Sequence, residues 1–239
     1  MEISGRHFFI TGSGKRIGRR LAESFLEKGA RLSAHVHTSK KEGDELFARF
    51  PGKVHRVQAD LRKIPEIQAA VISAEKKWGP IDVLINCASP FYPTPFFDCT
   101  ESEWDDLLGG NLKGQFFLCQ AVAKNMKSGV ILNLCDVNAN TPMKNFSPYV
   151  SAKAGLLMLT KNLAFELAPQ VRVNSISPGP VLLPEHYTPL QRQRTEERTL
   201  LKRLGSPEDI VAAAHFIIEN DYLTGIDLKV DGGRSLAEK

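Results

Sequence analysis

The sequence of 239 residues contains no apolar run close to the ~20 residues that a membrane-spanning helix needs, so a helical membrane protein is excluded. Cysteine is scarce. Cys87, Cys99, Cys119 and Cys135 never stand closer than a dozen residues, which fits neither paired metal ligands nor a small disulfide scaffold; reduced, structural thiols are expected, and no metal. Charge of one sign is also in short supply. The net charge is +4, and the basic residues are scattered along helices without interleaved aromatics, so nucleic acid is not an expected partner. An anionic small ligand is enough to explain the bias. The stretch MEISGRHFFITG lacks the successive charged, apolar and small-residue regions of a signal peptide, and a cytoplasmic location is expected. Internal repeats and low-complexity tracts are missing too.

What is present is an ordinary globular composition, 42% hydrophobic and 24% charged, at a length that suits one domain over residues 1–239. RHFFITG reads as a strand and runs into a glycine turn and a helix carrying Ile17, Leu21, Phe25 and Leu26 at helical spacing. RLSAHVH, KVHRVQAD, IDVLINCAS, GVILNLCD, VRVNSIS and GIDLKVDGG read as further strands, with helical segments between most of them. Such alternation predicts an α/β fold: a doubly wound parallel sheet of about seven strands, of the Rossmann type, with helices on both faces. The polar segment from about 183 to 203 interrupts the alternation and is expected to be a substrate lid, because long irregular segments in compact domains tend to be functional or disordered.

TGSGKRIG sits where a phosphate-binding turn belongs, between the first strand and the first helix. Gly12, Gly14, Lys15, Arg16, Ile17 and Gly18 are therefore expected to cradle a pyrophosphate against the helix N-terminus. The end of the second strand bears on which dinucleotide is bound. In place of the acid that accepts from a ribose in an NAD site it offers His35, His37, Thr38, Ser39, Lys40 and Lys41, which, with Arg16, suit a 2′-phosphate; NADPH/NADP is the expected cofactor, the alternative being a solvated basic loop. Tyr149 and Lys153 are four residues apart and share a helix face, so the ammonium is expected to lower the phenol's pKa and make Tyr149 a proton donor near neutral pH. Asp136, earlier in the same stretch, is a second proton-handling group.

Together TGSGKRIG, Asp60-Leu61, the NCAS of Asn86 to Ser89, Asn111 in NLKGQFFL, Tyr149-Val-Ser-Ala-Lys153 and Pro178-Gly179 resemble the short-chain dehydrogenase/reductase family in order and spacing, over essentially the whole chain. The resemblance implies catalysis by Asn111, Tyr149 and Lys153, and cofactor contacts from Asp60, Leu61, Asn86, Ala88, Ser89, Pro178, Gly179 and Val181 as well as from Tyr149 and Lys153. It also implies that the two long apolar helices, about 111–126 and 149–168, pack between subunits of a dimer or tetramer. Where that family usually has serine, this chain has Asp136. That exchange, the KRIG turn, the His-x-His-x-Ser end of strand two and the loop ASPFYPTP resemble the pteridine reductases within the family. By that narrower resemblance the substrate is a dihydrobiopterin- or dihydrofolate-like pteridine, contacted by Arg16, Ser89, Phe91, Asp136 and Tyr149, with Phe91 stacking the ring. The alternatives are a reductase of another carbonyl or imine, a Phe91 that merely packs on Phe96 or Phe97, and an Asp136 paired with Lys153. A non-catalytic NADP-binding sensor is the rival of a different class. His186 could contact substrate or be a solvated loop residue.

Overall fold

The computed structural model describes residues 1–37, 40–184 and 187–237. Its strands are β1 (His7–Thr11), β2 (Arg31–Val36), β3 (Val54–Gln58), β4 (Val83–Asn86), β5 (Gly129–Leu134), β6 (Val171–Pro178) and β7 (Asp227–Val230). All pair in parallel, in the order β3-β2-β1-β4-β5-β6-β7. The chain winds outward from β1 in one direction to β3, then crosses over to β4 and winds outward in the other. That reversal leaves a crevice at the carboxyl ends of β1 and β4, where doubly wound sheets bind their ligands.

The helices are α1 (Arg16–Glu27), α2 (Lys40–Arg49), α3 (Ile64–Trp78), α4 (Glu101–Leu108), α5 (Gly114–Ala123), α6 (Ser147–Leu167), α7 (Pro189–Glu197) and α8 (Pro207–Glu219). Strand β1 shows why both sheet faces need cover. Its run HFFIT is buried throughout: Phe8 and Ile10 join a core with Leu21 and Phe25 of α1 and Ile210 and Ile217 of α8, whereas Phe9 points the other way, into a core with Ile67 of α3, Leu118 of α5 and Leu163 of α6. Period-two side chains on a two-sided sheet require a continuous apolar run, and β4 and β5 show the same pattern.

Two details depart from the sequence reading. The helix expected from Asn111 begins as a π-helical turn, Gly109–Lys113, inserted between α4 and α5. The segment 183–203 is not wholly irregular either, since it holds α7, opened by a capping box between Thr188 and Gln191 with Pro189 following the cap.

Candidate active site

Strand β5 ends at Leu134, and the extended backbone of Asp136 starts a 3₁₀ turn, Val137–Asn140. Asp136 caps that turn: its Oδ1 accepts from the Asn138 backbone N–H at 2.7 Å and from Asn138 Nδ2 at 2.9 Å. The other carboxylate oxygen, Oδ2, accepts from the Tyr149 hydroxyl at 2.7 Å. One turn further along α6, Lys153 is fully buried; its Nζ donates to the Leu134 carbonyl at 2.7 Å and lies 5.9 Å from the centre of the Tyr149 ring. Asp136 therefore pairs with Tyr149 through a direct hydrogen bond, and Lys153 is bonded to the strand backbone.

The electrostatics reverse one expectation. The phenol of Tyr149 is held well above its ordinary pKa, first by burial and then by the charge and hydrogen bond of Asp136. Burial also pulls the ammonium of Lys153 down. A tyrosine in this setting keeps its proton at neutral pH.

Asn111 sits in the π turn, a local winding that often marks functional positions. Its neighbour has to be glycine, because a Cβ on Gly110 would meet the Pro90 ring at 2.8 Å. This close approach lets Asn111 Nδ2 donate to the carbonyls of Pro90 and Leu107, both at 3.0 Å, while its Oδ1 accepts from Ser89 Oγ at 2.5 Å. Phe91 stacks on Phe146 at 4.8 Å between ring centres and meets Tyr149 edge-on at the same distance. Phe96 and Phe97 pack on each other instead. Phe91 is therefore a wall beside the tyrosine, with 46% of its surface open.

At the β1 end the site is made of backbone. Gly12 has φ +66°, and a Cβ there would lie 3.1 Å from Ala88 Cα; one on Gly18 would run into the Gly12 carbonyl. Thr11 Oγ1 ties this turn to β4 by accepting from the backbone N–H groups of Cys87 and Ala88 at 2.8 and 2.9 Å. No side chain caps the N-terminus of α1, and no acid stands in its first turn. Its amide donors and positive partial charge are thus suited to an anion.

The chain matches the protein family described as "Enoyl-(Acyl carrier protein) reductase" over residues 12–235. It is 33% identical to a probable galactose dehydrogenase of Rhizobium meliloti, over 97% of this chain and 96% of that one. It is 31% identical to the 5-keto-D-gluconate 5-reductase of Escherichia coli, over 99% and 98%. Among solved structures it superposes with a TM-score of 0.93 on a short-chain dehydrogenase/reductase (glucose/ribitol dehydrogenase) from Brucella melitensis, 28% identical over 98% of each chain. It superposes with a TM-score of 0.92 on a blue fluorescent protein from a metagenomic library in complex with NADPH, 25% identical over 98% of this chain and 99% of that one. The chain belongs to the short-chain dehydrogenase/reductase family.

In this short-chain dehydrogenase/reductase Asn111 and Ser89 bond each other, and Asp136, Lys153 and Phe91 gather around Tyr149. Pro178 closes β6, and the Gly179 N–H donates to the Val230 carbonyl with no room for a side chain beside Asp231. Val181 is buried in the core, and Ile17 packs against it.

Asn86 is fully buried and donates to Asn133 Oδ1 and Cys119 Sγ, while its own Oδ1 has no partner among the described residues. His35 is buried as well. It lies under the glycine turn, with Nε2 on the Ala59 carbonyl at 3.0 Å and Nδ1 positioned to accept from the Gly12 N–H at 3.4 Å, and burial lowers its pKa to about 4. It is a neutral support and not a phosphate donor. Asp60 receives a fork of two bonds from Arg62, which holds its pKa down to about 2. Leu61 is buried next to it, and its carbonyl sits against Gly114. Arg16, with φ +53°, reaches across to the Leu182 carbonyl at 2.5 Å, beyond β6. Lys15 and His37 are exposed. Thr38, Ser39, Glu185 and His186 lie outside the described residues, as do the side chains of Lys40 and Lys41.

Sequence reasoning missed Asn138, which clamps Asp136, and Phe146, which backs Phe91. It also missed the bridge in which Arg62 and Tyr92 both donate to Asp106, at 2.5 and 2.7 Å, and so tie the loop after β4 to the end of β3.

Proposed function

We propose that the chain is an NADPH-dependent reductase that acts on a carbonyl or imine, with Tyr149 as the proton donor. The observation that carries this reading is the buried Tyr149 hydroxyl, 2.7 Å from Asp136 Oδ2 and kept protonated by its surroundings, beside a buried Lys153. Reduction needs a protonated group at this point, and the Tyr149 phenol is one.

The residues fit a dinucleotide. Gly12 and Gly18 leave no room for a Cβ, so the turn packs tightly on β4 before the start of α1, Ser89 and Asn111 line the way toward Tyr149, and residues 35–39 contain no acid to repel a 2′-phosphate. The neighbouring fluorescent protein was solved with NADPH. When bound, NADPH supplies the hydride. Tyr149 gives its proton to the substrate oxygen or nitrogen, Lys153 holds positive charge behind the phenol, and Asn111 fixes Ser89 and the loop after β4.

The carboxylate of Asp136 narrows the substrate. A bare ketone would place its developing negative charge against an anion, whereas a substrate with an O–H or N–H beside the reducible carbon satisfies Asp136 Oδ2 once Tyr149 turns to it. Hydroxyketones meet that condition, and the relatives named for galactose and 5-keto-D-gluconate are named for polyhydroxylated compounds. A second reading, a reduced pteridine, is favoured by Phe91, whose ring beside Tyr149 is open to a flat heterocycle. The narrower resemblance to pteridine reductases finds no counterpart among the named relatives, so the hydroxycarbonyl reading stands first.

The whole of residues 1–239 acts as one domain in this reading, with the segment around α7 as its lid. The exposed Phe116 of α5 and the exposed Met158 and Phe165 of α6 give these helices an apolar surface for a dimer or tetramer. The test is NADPH oxidation with 5-keto-D-gluconate, simpler hydroxyketones, plain ketones, 7,8-dihydrobiopterin and dihydrofolate. Turnover of pterins alone would install the second reading, and failure with every compound would reject both. Equal use of NADH and NADPH at low salt would remove the cofactor preference.

A further inference from the structure

We propose that Asn138 is a positioning residue for the reaction, holding one oxygen of Asp136 so that the other is always presented to Tyr149 and to the substrate. Rotation about the terminal torsion of an aspartate is soft, so the direction in which the carboxylate plane presents its oxygens depends on the groups around it. Asn138 sets that direction here. Its backbone N–H and its Nδ2 both donate to Asp136 Oδ1, at 2.7 and 2.9 Å, and Oδ2 is left to the Tyr149 hydroxyl at 2.7 Å.

The backbone bond belongs to the cap of the 3₁₀ turn, and any residue but proline at 138 would make it. The side-chain bond is the specific part. Thr141 Oγ1 lies 3.5 Å from Asn138 Oδ1, which sets the amide so that its nitrogen faces Asp136. The charged and titratable groups around this carboxylate are Tyr149 and Lys153 on α6 and Cys135 at the end of β5. To these Asn138 adds a donor that does not itself titrate. A substrate donor replacing Tyr149 on Oδ2 then meets an acceptor already aimed.

This inference rests on Tyr149 and Asp136 handling the proton, and its test separates the two ideas. In a ligand-free crystal structure of Asn138→Ala, the Asp136 carboxylate, left with the backbone N–H as its one donor from residue 138, is expected to rotate off its line to Tyr149; a carboxylate that keeps its 2.7 Å bond overturns the inference whatever the substrate proves to be. In kinetics with the best substrate found, Asn138→Ala is expected to lower kcat roughly tenfold, the worth of one hydrogen bond to a charged group, with NADPH affinity unchanged. Loss of less than twofold, or an equal loss of NADPH affinity, overturns it.

Asn138→Asp keeps the shape and replaces the donor by an acceptor. It is expected to lose more activity than Asn138→Ala at neutral pH and to recover part of it in mild acid, where the paired carboxylates share a proton. Parallel pH profiles for the two variants would mean that Asn138 only shapes the turn. If Asn138→Ala does not fold, the isosteric Asn138→Asp decides alone.

Discussion

The glycine turn after β1 and the Asp136–Lys153 stretch after β5 lie at the carboxyl ends of strands two places apart in one sheet, and they are built from different material. The turn is backbone: glycines without room for a Cβ, a hydroxyl that ties two strands, a helix end left open. The catalytic stretch is side chain: a carboxylate, a phenol and an ammonium, each bonded to a partner from another segment. Backbone sites bind groups common to many ligands, since N–H groups and helix ends recognise any phosphate. Side-chain sites select the chemistry. Variants in the first region should therefore change cofactor affinity, and those in the second the rate at saturation.

The sharpest break in that contrast comes from Tyr149→Phe, which removes the proton donor and leaves the ring against Phe91. We expect kcat to fall about a thousandfold with NADPH affinity nearly unchanged, measured by steady-state kinetics and by cofactor fluorescence. A matching loss of NADPH affinity would mean that the phenol serves binding, and the two regions would no longer be separable.

The next effect belongs to the support of the turn. His35 titrates at about 4 in the fold against 6.5 unfolded, so the unfolded chain takes up its proton first and stability is lost as pH falls from 6.5 toward 4. The whole difference amounts to roughly 3 kcal/mol. Urea denaturation across that range should show the decline, and His35→Gln should make it shallower. His7, His55 and His215, also lowered by burial, would leave a residual slope. Smaller again is Gly12→Ala, where positive φ and the approach of Ala88 are expected to cost about 1–2 kcal/mol of stability and to weaken NADPH binding, with kcat at saturation retained.

The same division explains what could be read before the structure was known. The glycine turn was legible because its demands are local and leave glycines at fixed spacing. Tyr149 and Lys153 were legible because four residues on a helix place them together. His35 was misread because a histidine looks like a donor in sequence whether it faces solvent or, as here, the underside of a turn. The sign of the Tyr149 shift was missed for a related reason: proximity to Lys153 is visible in sequence, whereas the burial and the Asp136 bond that outweigh it arise from tertiary packing. Asn138 carries no sequence signal that separates it from any other turn asparagine. Helix α7 did carry one, since Thr188, Pro189 and Gln191 form a capping box, but its polar surface gave no apolar period to read.

Phe91 tests the contrast from the substrate side, with the smallest expected effect. Its ring is held from behind by Phe146 and at its edge by Tyr149, so Phe91→Ala removes a wall and one ring contact of Tyr149 while leaving the phenol's bond to Asp136 and the cradle in place. Stacking of this kind contributes about 1 kcal/mol beyond buried area, which predicts a rise of about fivefold in KM for a flat heterocycle and little change for an open-chain hydroxyketone. The ratio of the two KM values is the measurement. If Phe91→Ala raises both equally, the ring shapes the pocket without selecting flat substrates, and the pteridine reading loses the observation that favours it. If only the heterocycle suffers, specificity resides in the loop after β4, where the Tyr92–Asp106–Arg62 bridge ties the wall to the end of β3 and so to the side of the sheet that holds the glycine turn.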